Sequence, residues 1–168
     1  MWVVNGNRFP HYINGGAMKL VYVNEEVCIG CGLCEVYCRL EHSFSKDLIK
    51  SFKKEPLHPA PLLRVERREP ISFAVTCRHC TEPHCIYACI TGALQRKPES
   101  GIVTVDEGKC TGCWTCILAC PYGVIRQEKH RGKITKCDLC FEKEIPACVA
   151  NCPNEALTYA EIQDEAII

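Results

Sequence analysis

The sequence predicts an α+β fold in which one small plan, strand, loop, helix, hairpin, loop, helix, strand, is used more than once. Three observations predict it. The chain has 168 residues, and its 16 cysteines fall into four groups of four with none left over. Short β-branched stretches lie directly before or after those groups. Glycine and proline clusters then punctuate the chain between such stretches. Composition excludes several classes. Lys+Arg and Asp+Glu are both 20, so there is no basic surface to release counterions from nucleic acid. No uninterrupted apolar run approaches the roughly 18 residues of a membrane span. The hydrophobic fraction of 47% includes the cysteines, so the core is thin and the cysteines must supply cohesion.

The spacing within the groups decides their chemistry. Group one is Cys28, Cys31, Cys34 and Cys38, in the pattern C-x2-C-x2-C-x3-C. Group two is Cys77, Cys80, Cys85 and Cys89, with four residues between its second and third members. Group three, Cys110, Cys113, Cys116 and Cys120, repeats group one and is followed by Pro121. Group four is Cys137, Cys140, Cys148 and Cys152, followed by Pro153. A disulfide framework expects an oxidising compartment and a secretory leader, and the first residues have neither a basic nor an apolar leader region. Zinc takes paired C-x2–4-C knuckles, which groups two and four could supply. In groups one and three the third cysteine is surplus to such a knuckle. A C-x2-C-x2-C loop instead wraps three corners of a 4Fe-4S cube, while the fourth cysteine ligates a neighbouring cluster. Four groups therefore predict four 4Fe-4S clusters with all sixteen thiols used as iron ligands. Exchange of fourth cysteines requires the groups to pair, each pair forming a two-cluster unit of the bacterial ferredoxin type with a β-α-β-β-α-β plan. Spacing alone leaves open which groups pair.

Along the chain, residues 1–17 are polar and without periodicity, and are expected to be an extension. One reading makes Met18 the true start, so that the extension is not native, with the Gly15-Gly16 codons as a candidate ribosome-binding site. The alternative is a disordered extension of a chain starting at Met1. Leu20–Val23 is expected as a strand leading into group one, and Cys34–His42 as a short helix after its loop. Residues 43–70 form an insertion rich in Lys, Arg and Pro. Ile71–Val75 is expected as the strand before group two. Ala93–Gln95 and Ile102–Val105 flank Pro98-Glu-Ser-Gly101 as a hairpin. Val124–Gln127 and Lys133–Thr135 flank the turn at Gly132 as a second one, and Leu157–Ala160 closes the chain as a strand.

Four cysteine groups in this order and spacing resemble the four-cluster electron-transfer subunits of complex oxidoreductases. Those include the iron–sulfur subunits of dimethyl sulfoxide reductase, polysulfide reductase, formate dehydrogenase and formate hydrogenlyase. The stretch Cys38-Arg-Leu-Glu-His-Ser43, with Ser45-Lys46-Asp47-Leu48, is most similar to the soluble partners of carbon monoxide dehydrogenase and tungsten aldehyde oxidoreductase. The resemblance covers residues 19–162. It implies that group one pairs with group four and group two with group three, so that the second ferredoxin-like unit is inserted into the first. The implied ligand sets are Cys28, Cys31, Cys34 and Cys152; Cys137, Cys140, Cys148 and Cys38; Cys77, Cys80, Cys85 and Cys120; and Cys110, Cys113, Cys116 and Cys89. The implied domains are 18–42 with 132–168, and 71–131, separated by the insertion at 43–70. Arg39 and Ile90 stand where the family often has a proline after a fourth cysteine. Cys113 is present where some members lose a ligand, so four-iron clusters are expected throughout.

The resemblance implies a non-catalytic relay between a catalytic metalloenzyme subunit and a second redox partner, such as a ferredoxin, flavoprotein or hydrogenase. The alternative is a free polyferredoxin serving several enzymes. No nucleotide-binding glycine motif, phosphate loop or nucleophile elbow suggests substrate chemistry on this chain. A cytoplasmic location is expected because no export signal precedes the domain. Each oxidised four-thiolate cluster carries about −2, so four would bring the charge from zero to roughly −8. His42, His79 and His84 lie near cysteines but are not expected as ligands, since each group is complete, and Trp114 is expected to shield its cluster. Arg126, Lys129, Arg131, Lys133 and Lys136 are expected to form a solvated hairpin. Lys50, Lys53, Lys54, Arg64, Arg67 and Arg68 make the insertion the candidate docking surface, one the ferredoxin-like units themselves do not need.

Overall fold

The computed structural model describes residues 12–13, 16–17, 19–55, 60–68, 70–128 and 130–161. The candidate start at Met18 and most of the extension lie outside the described residues, apart from a ladder between β1 (Tyr12–Ile13) and β2 (Gly16–Ala17). β3 (Lys19–Val23) follows and runs into the loop of group one. Leu33–Glu41 forms α1 and Leu48–Lys53 forms α2, the latter capped by the Asp47 side chain, which accepts from Lys50 N–H. β4 (Arg64–Arg68) and β5 (Ile71–Val75) lead to group two, whose α3 is His84–Tyr87. β6 (Leu94–Arg96) and β7 (Val103–Val105) precede group three and α4 (Thr115–Ala119). β8 (Arg126–Glu128) and β9 (Lys133–Thr135) precede group four and α5 (Ala147–Ala150), and β10 (Leu157–Glu161) ends the described chain.

Among the described residues the strands form five two-stranded antiparallel sheets. β3 and β10, far apart in sequence, pair with Val21 opposite Tyr159 and Val23 opposite Leu157. A β-branched residue against an aromatic is a favourable cross-strand pair. The other ladders are local hairpins: β4 with β5, β6 with β7, β8 with β9. Helices of four to nine residues are too short to persist alone, so tertiary contacts must hold them. α1 packs against α5, and α3 against α4. Two apolar clusters result. One gathers Val21, Leu62, Leu63, Val65, Ala74, Leu139 and Leu157 around Cys34, Cys38 and Cys148. The other gathers Ala93, Leu94, Val103, Ile125 and Ile134 around Cys110 and Cys116. Cysteines are thus part of both cores.

The segment expected to be dispensable is built into the first of these cores. Leu62 and Leu63 are 4% and 2% exposed, and Leu62 N–H donates to Cys38 Sγ at 3.2 Å. Val65 N–H donates to Glu35 on α1 at 2.9 Å. Arg67 and Ser72, cross-strand partners in the β4–β5 hairpin, donate to the carbonyls of Gly30 and Cys28 at 2.7 and 2.8 Å. Residues 60–68 therefore brace the loop of group one, and the boundaries drawn at 70 and 132 both fall inside hairpins. The reason is simple: two prolines and three arginines masked the Leu-Leu-x-Val run that buries.

A second brace joins loop three to the β8–β9 turn. Gly112 has φ 70°, and a Cβ there would collide with the Gly132 carbonyl. Leu63→Ala is expected to cost about 2–5 kcal/mol, read as a lower urea midpoint. Gly112→Ala is expected to open loop three, leaving the other loops intact and lowering bound iron by about four per chain.

Candidate metal centres

Each cysteine group is a loop that turns into a helix. In all four, the residue before the second cysteine has a left-handed backbone: Gly30 at φ 63°, His79 at 43°, Gly112 at 70° and Leu139 at 60°. That turn folds the loop back on itself and points its thiols to one side. Glycine adopts it freely, whereas histidine and leucine need their surroundings to hold them there. His79 and Leu139 are each 1% exposed, which supplies that hold.

Two sets of four thiols line cavities. Cys28, Cys31, Cys34 and Cys152 line one cavity, whose remaining wall includes Val65, Ala74, Ala156 and Leu157. Cys77, Cys80, Cys85 and Cys120 line a second, with His79 and Lys136 on its wall. Elsewhere Cys89 acts electrostatically on Cys113 and Cys116, and Cys38 acts on Cys137, Cys140 and Cys148. In both cavities a cysteine from one group joins three from another. Charge is also felt between groupings, Cys34 acting on Cys148 and Cys77 on Cys137.

Several of these thiols sit where a bare thiolate is disfavoured. Two differ: at Cys89 burial is outweighed by hydrogen bonds from Thr91 and nearby main chain, and at Cys113 a hydrogen bond from Thr115 acts, so both fall below an ordinary thiol. Burial, reinforced by neighbouring sulfurs, pushes Cys34 and Cys148 up to about 12 and Cys116 to about 11. A cation that binds sulfur removes that penalty, since metal ligation deprotonates the thiol outright. The spacing of the sulfurs tells which kind of cation. Around one zinc, bonds of about 2.3 Å bring four sulfurs to roughly 3.8 Å from each other. Among the described residues no three thiols lie within 4.8 Å of one another. The sets are therefore too wide for a single ion, and an all-sulfur, wide set fits a multi-iron cluster. Main-chain N–H groups already face the sulfurs, Leu62 to Cys38 and Leu139 to Cys137 at 3.2 and 3.4 Å.

The histidines divide. His42 Nδ1 meets the Cys38 carbonyl at 2.7 Å, and Nε2 meets Asp138 Oδ1 at 3.2 Å. Burial alone would lower its pKa, but Asp138 and Cys38 overcome this and raise it to about 11. With Cys140 these two make the one close mixed group among the described residues. His42 spends both nitrogens on oxygen acceptors, so it sits beside its set as a charge pair. His79 is buried, and burial followed by the Lys136 charge pulls its pKa well down. His84 is exposed, edge-on to Tyr87. Trp114 is half-buried and packs on the second core, and its φ of 64° continues the turn of loop three. Lys136 departs from the solvated hairpin expected of it. It is 5% exposed, and its Nζ donates to the carbonyls of Val103 and Cys137 at 2.5 and 2.8 Å. No pattern in the sequence marked it: the residue before the first cysteine is buried at Thr76 and Lys136 but exposed at Val27 and Lys109.

The model of the 4Fe-4S dicluster domain family matches residues 69–162. The electron transport protein HydN of Escherichia coli is 35% identical over 155 residues, covering 83% of this chain and 86% of HydN. An iron–sulfur protein of Rhodospirillum rubrum is 32% identical over 160 residues, covering 85% of this chain and 82% of its own. The putative oxidoreductase AegA of Escherichia coli is 33% identical over 147 residues and 83% of this chain, which spans only 21% of AegA's length. The wide all-thiol sets and these likenesses agree: the chain belongs to the 4Fe-4S dicluster domain family, with iron–sulfur electron-transport proteins as its relatives.

Proposed function

We propose that the chain is a four-cluster relay, passing single electrons between a catalytic metalloenzyme subunit and a second redox partner. The clusters supply the electron chemistry; the protein holds, spaces and tunes them. The proposed ligands are Cys28, Cys31, Cys34 and Cys152; Cys38, Cys137, Cys140 and Cys148; Cys77, Cys80, Cys85 and Cys120; and Cys89, Cys110, Cys113 and Cys116. The observation that carries the reading is the pair of cavities, each lined by three cysteines of one group and one of another. The charge effects of Cys89 on Cys113 and Cys116, and of Cys38 on Cys137, Cys140 and Cys148, support the other two sets. The β3–β10 pairing and the α1–α5 and α3–α4 packing support two ferredoxin-like units, the second inserted into the first.

The mutual charge effects of Cys34 with Cys148 and of Cys77 with Cys137 support a linear order, from the Cys28 set through the Cys137 and Cys77 sets to the Cys110 set. The packing of Cys85 and Cys120 against the core of Cys110 and Cys116 supports its last step. Each outer set has one exposed thiol, Cys31 at one end and Cys113 at the other. Ile29 flanks the first, and Ile90 and Leu118, 78% and 88% exposed, flank the second. A relay needs two such openings, with apolar rims on which partners seat. The proposed catalytic partner is of the aldehyde oxidoreductase, carbon monoxide dehydrogenase or formate dehydrogenase type. Sixteen free thiols argue for a reducing compartment, and the cytoplasm is proposed. No helix among the described residues is long and apolar enough to cross a membrane.

Size exclusion of anaerobic native extract tests the assignment. The chain should elute with a catalytic subunit, and elution near 18.9 kDa would favour a free carrier instead. Leu118→Asp is expected to slow electron exchange at one end about tenfold or more, with iron content unchanged, because a charge on a seating rim must be desolvated.

A further inference from the structure

The two cysteine-lined cavities differ in what else faces them. The wall of the Cys28 cavity carries no charged side chain: Val65, Ala74 and Leu157 face it, and its one polar side chain, Asn154, donates to the Val27 carbonyl. The wall of the Cys77 cavity carries His79 and Lys136. The Val103 amide N–H donates to His79 Nδ1 at 3.0 Å, so that nitrogen is an acceptor and the ring proton sits on Nε2. His79 Nε2 has no hydrogen-bond partner, although the residue is 1% exposed. A buried donor without a partner is costly unless something in the site accepts from it. Lys136 brings a buried ammonium to the same wall, and Arg96 adds a guanidinium that donates to the carbonyls of Cys80 and Thr81. The nearest carboxylate, Asp138, is already engaged by His42.

Hydrogen bonds to sulfur and nearby positive charge both favour the reduced, more negative state of a cluster. Resting on the four-cluster reading, we propose that the His79 Nε2–H donates to a sulfur of the cluster held by Cys77, Cys80, Cys85 and Cys120. Together with Lys136 it holds that cluster's reduction potential above that of the cluster in the uncharged Cys28 cavity. His79 and Lys136 are thus potential-setting residues, not ligands. An electron shared by these two clusters resides on the Cys77 side, in the interior of the chain. No bond is made or broken; the one electron is the one the relay already carries.

The experiment is a potentiometric titration of the full chain followed by paramagnetic resonance, with histidine labelled by nitrogen-15. The wild-type protein should show a histidine nitrogen coupled to the Cys77 cluster. A His42→Gln variant should retain it, which sets aside any coupling of His42 to the cluster beside Cys38. His79→Leu should abolish that coupling and shift the same cluster's one-electron reduction equilibrium about tenfold toward oxidised, about 59 mV. Leucine suits the position, since Leu139 occupies the matching left-handed turn of group four. Lys136→Met should move the histidine-coupled cluster in the same direction while keeping the coupling. Absence of the coupling in wild type, or unshifted potentials in both variants at full iron content, would overturn the proposal. If His79→Leu loses a cluster, the wild-type spectrum and Lys136→Met decide. Wild-type iron well short of four clusters would instead contradict the four-cluster reading, which separates the two failures.

Discussion

Thiols gathered away from water cannot ionise side by side unless positive charge compensates them, and this constraint organises the whole molecule. Cys34, Cys116 and Cys148 are each driven far above an ordinary thiol by burial and by other sulfurs. The same cysteines occupy the centres of the two apolar clusters, where a larger protein would place leucine or isoleucine. Cys116 and Cys148 lie in the first turn of helices of five and four residues, which have little intrinsic stability of their own. Metal binding and folding are therefore the same free energy seen from two sides.

The polypeptide prepares for that binding in its backbone. A left-handed residue before the second cysteine recurs in all four groups, by glycine in groups one and three and by buried His79 and Leu139 in groups two and four. Loop one is further fixed by Arg67 and Ser72, which hold two of its carbonyls from the β4–β5 hairpin. Loop three is fixed by the close approach of Gly112 to the Gly132 turn. These braces come from segments that carry no cysteine, and they show how a thin core can still present sulfur atoms in set positions.

Much of this was legible in the residues. The sixteen cysteines announced loops and short helices, and the strands at 20–23, 71–75 and 157–160 and both later hairpins lie within a residue or two of where alternation and turn glycines put them. What stayed hidden was tertiary. Arginines in β4 read as a docking surface. Arg67 is exposed as such a surface requires, yet its Nε also holds the Gly30 carbonyl, and Val65 and Leu63 beside it are buried. Lys136 read as one more hairpin charge, yet two carbonyls draw its ammonium inside. Side chains with long apolar stems can serve either surface or interior, and only the position of their acceptors decides. His79 was visible as a residue beside cysteines, but its unpartnered nitrogen follows from the Val103 amide, 24 residues away in sequence.

The central claim is that every thiol in the chain grips iron and that the protein carries electrons without transforming a substrate. Mössbauer spectroscopy of anaerobically prepared protein, with iron and sulfide counted on the same sample, tests it most directly. The account predicts about sixteen of each per chain, all iron in cubane 4Fe-4S clusters. Zinc in place of iron, or iron confined to about eight atoms per chain, would contradict it.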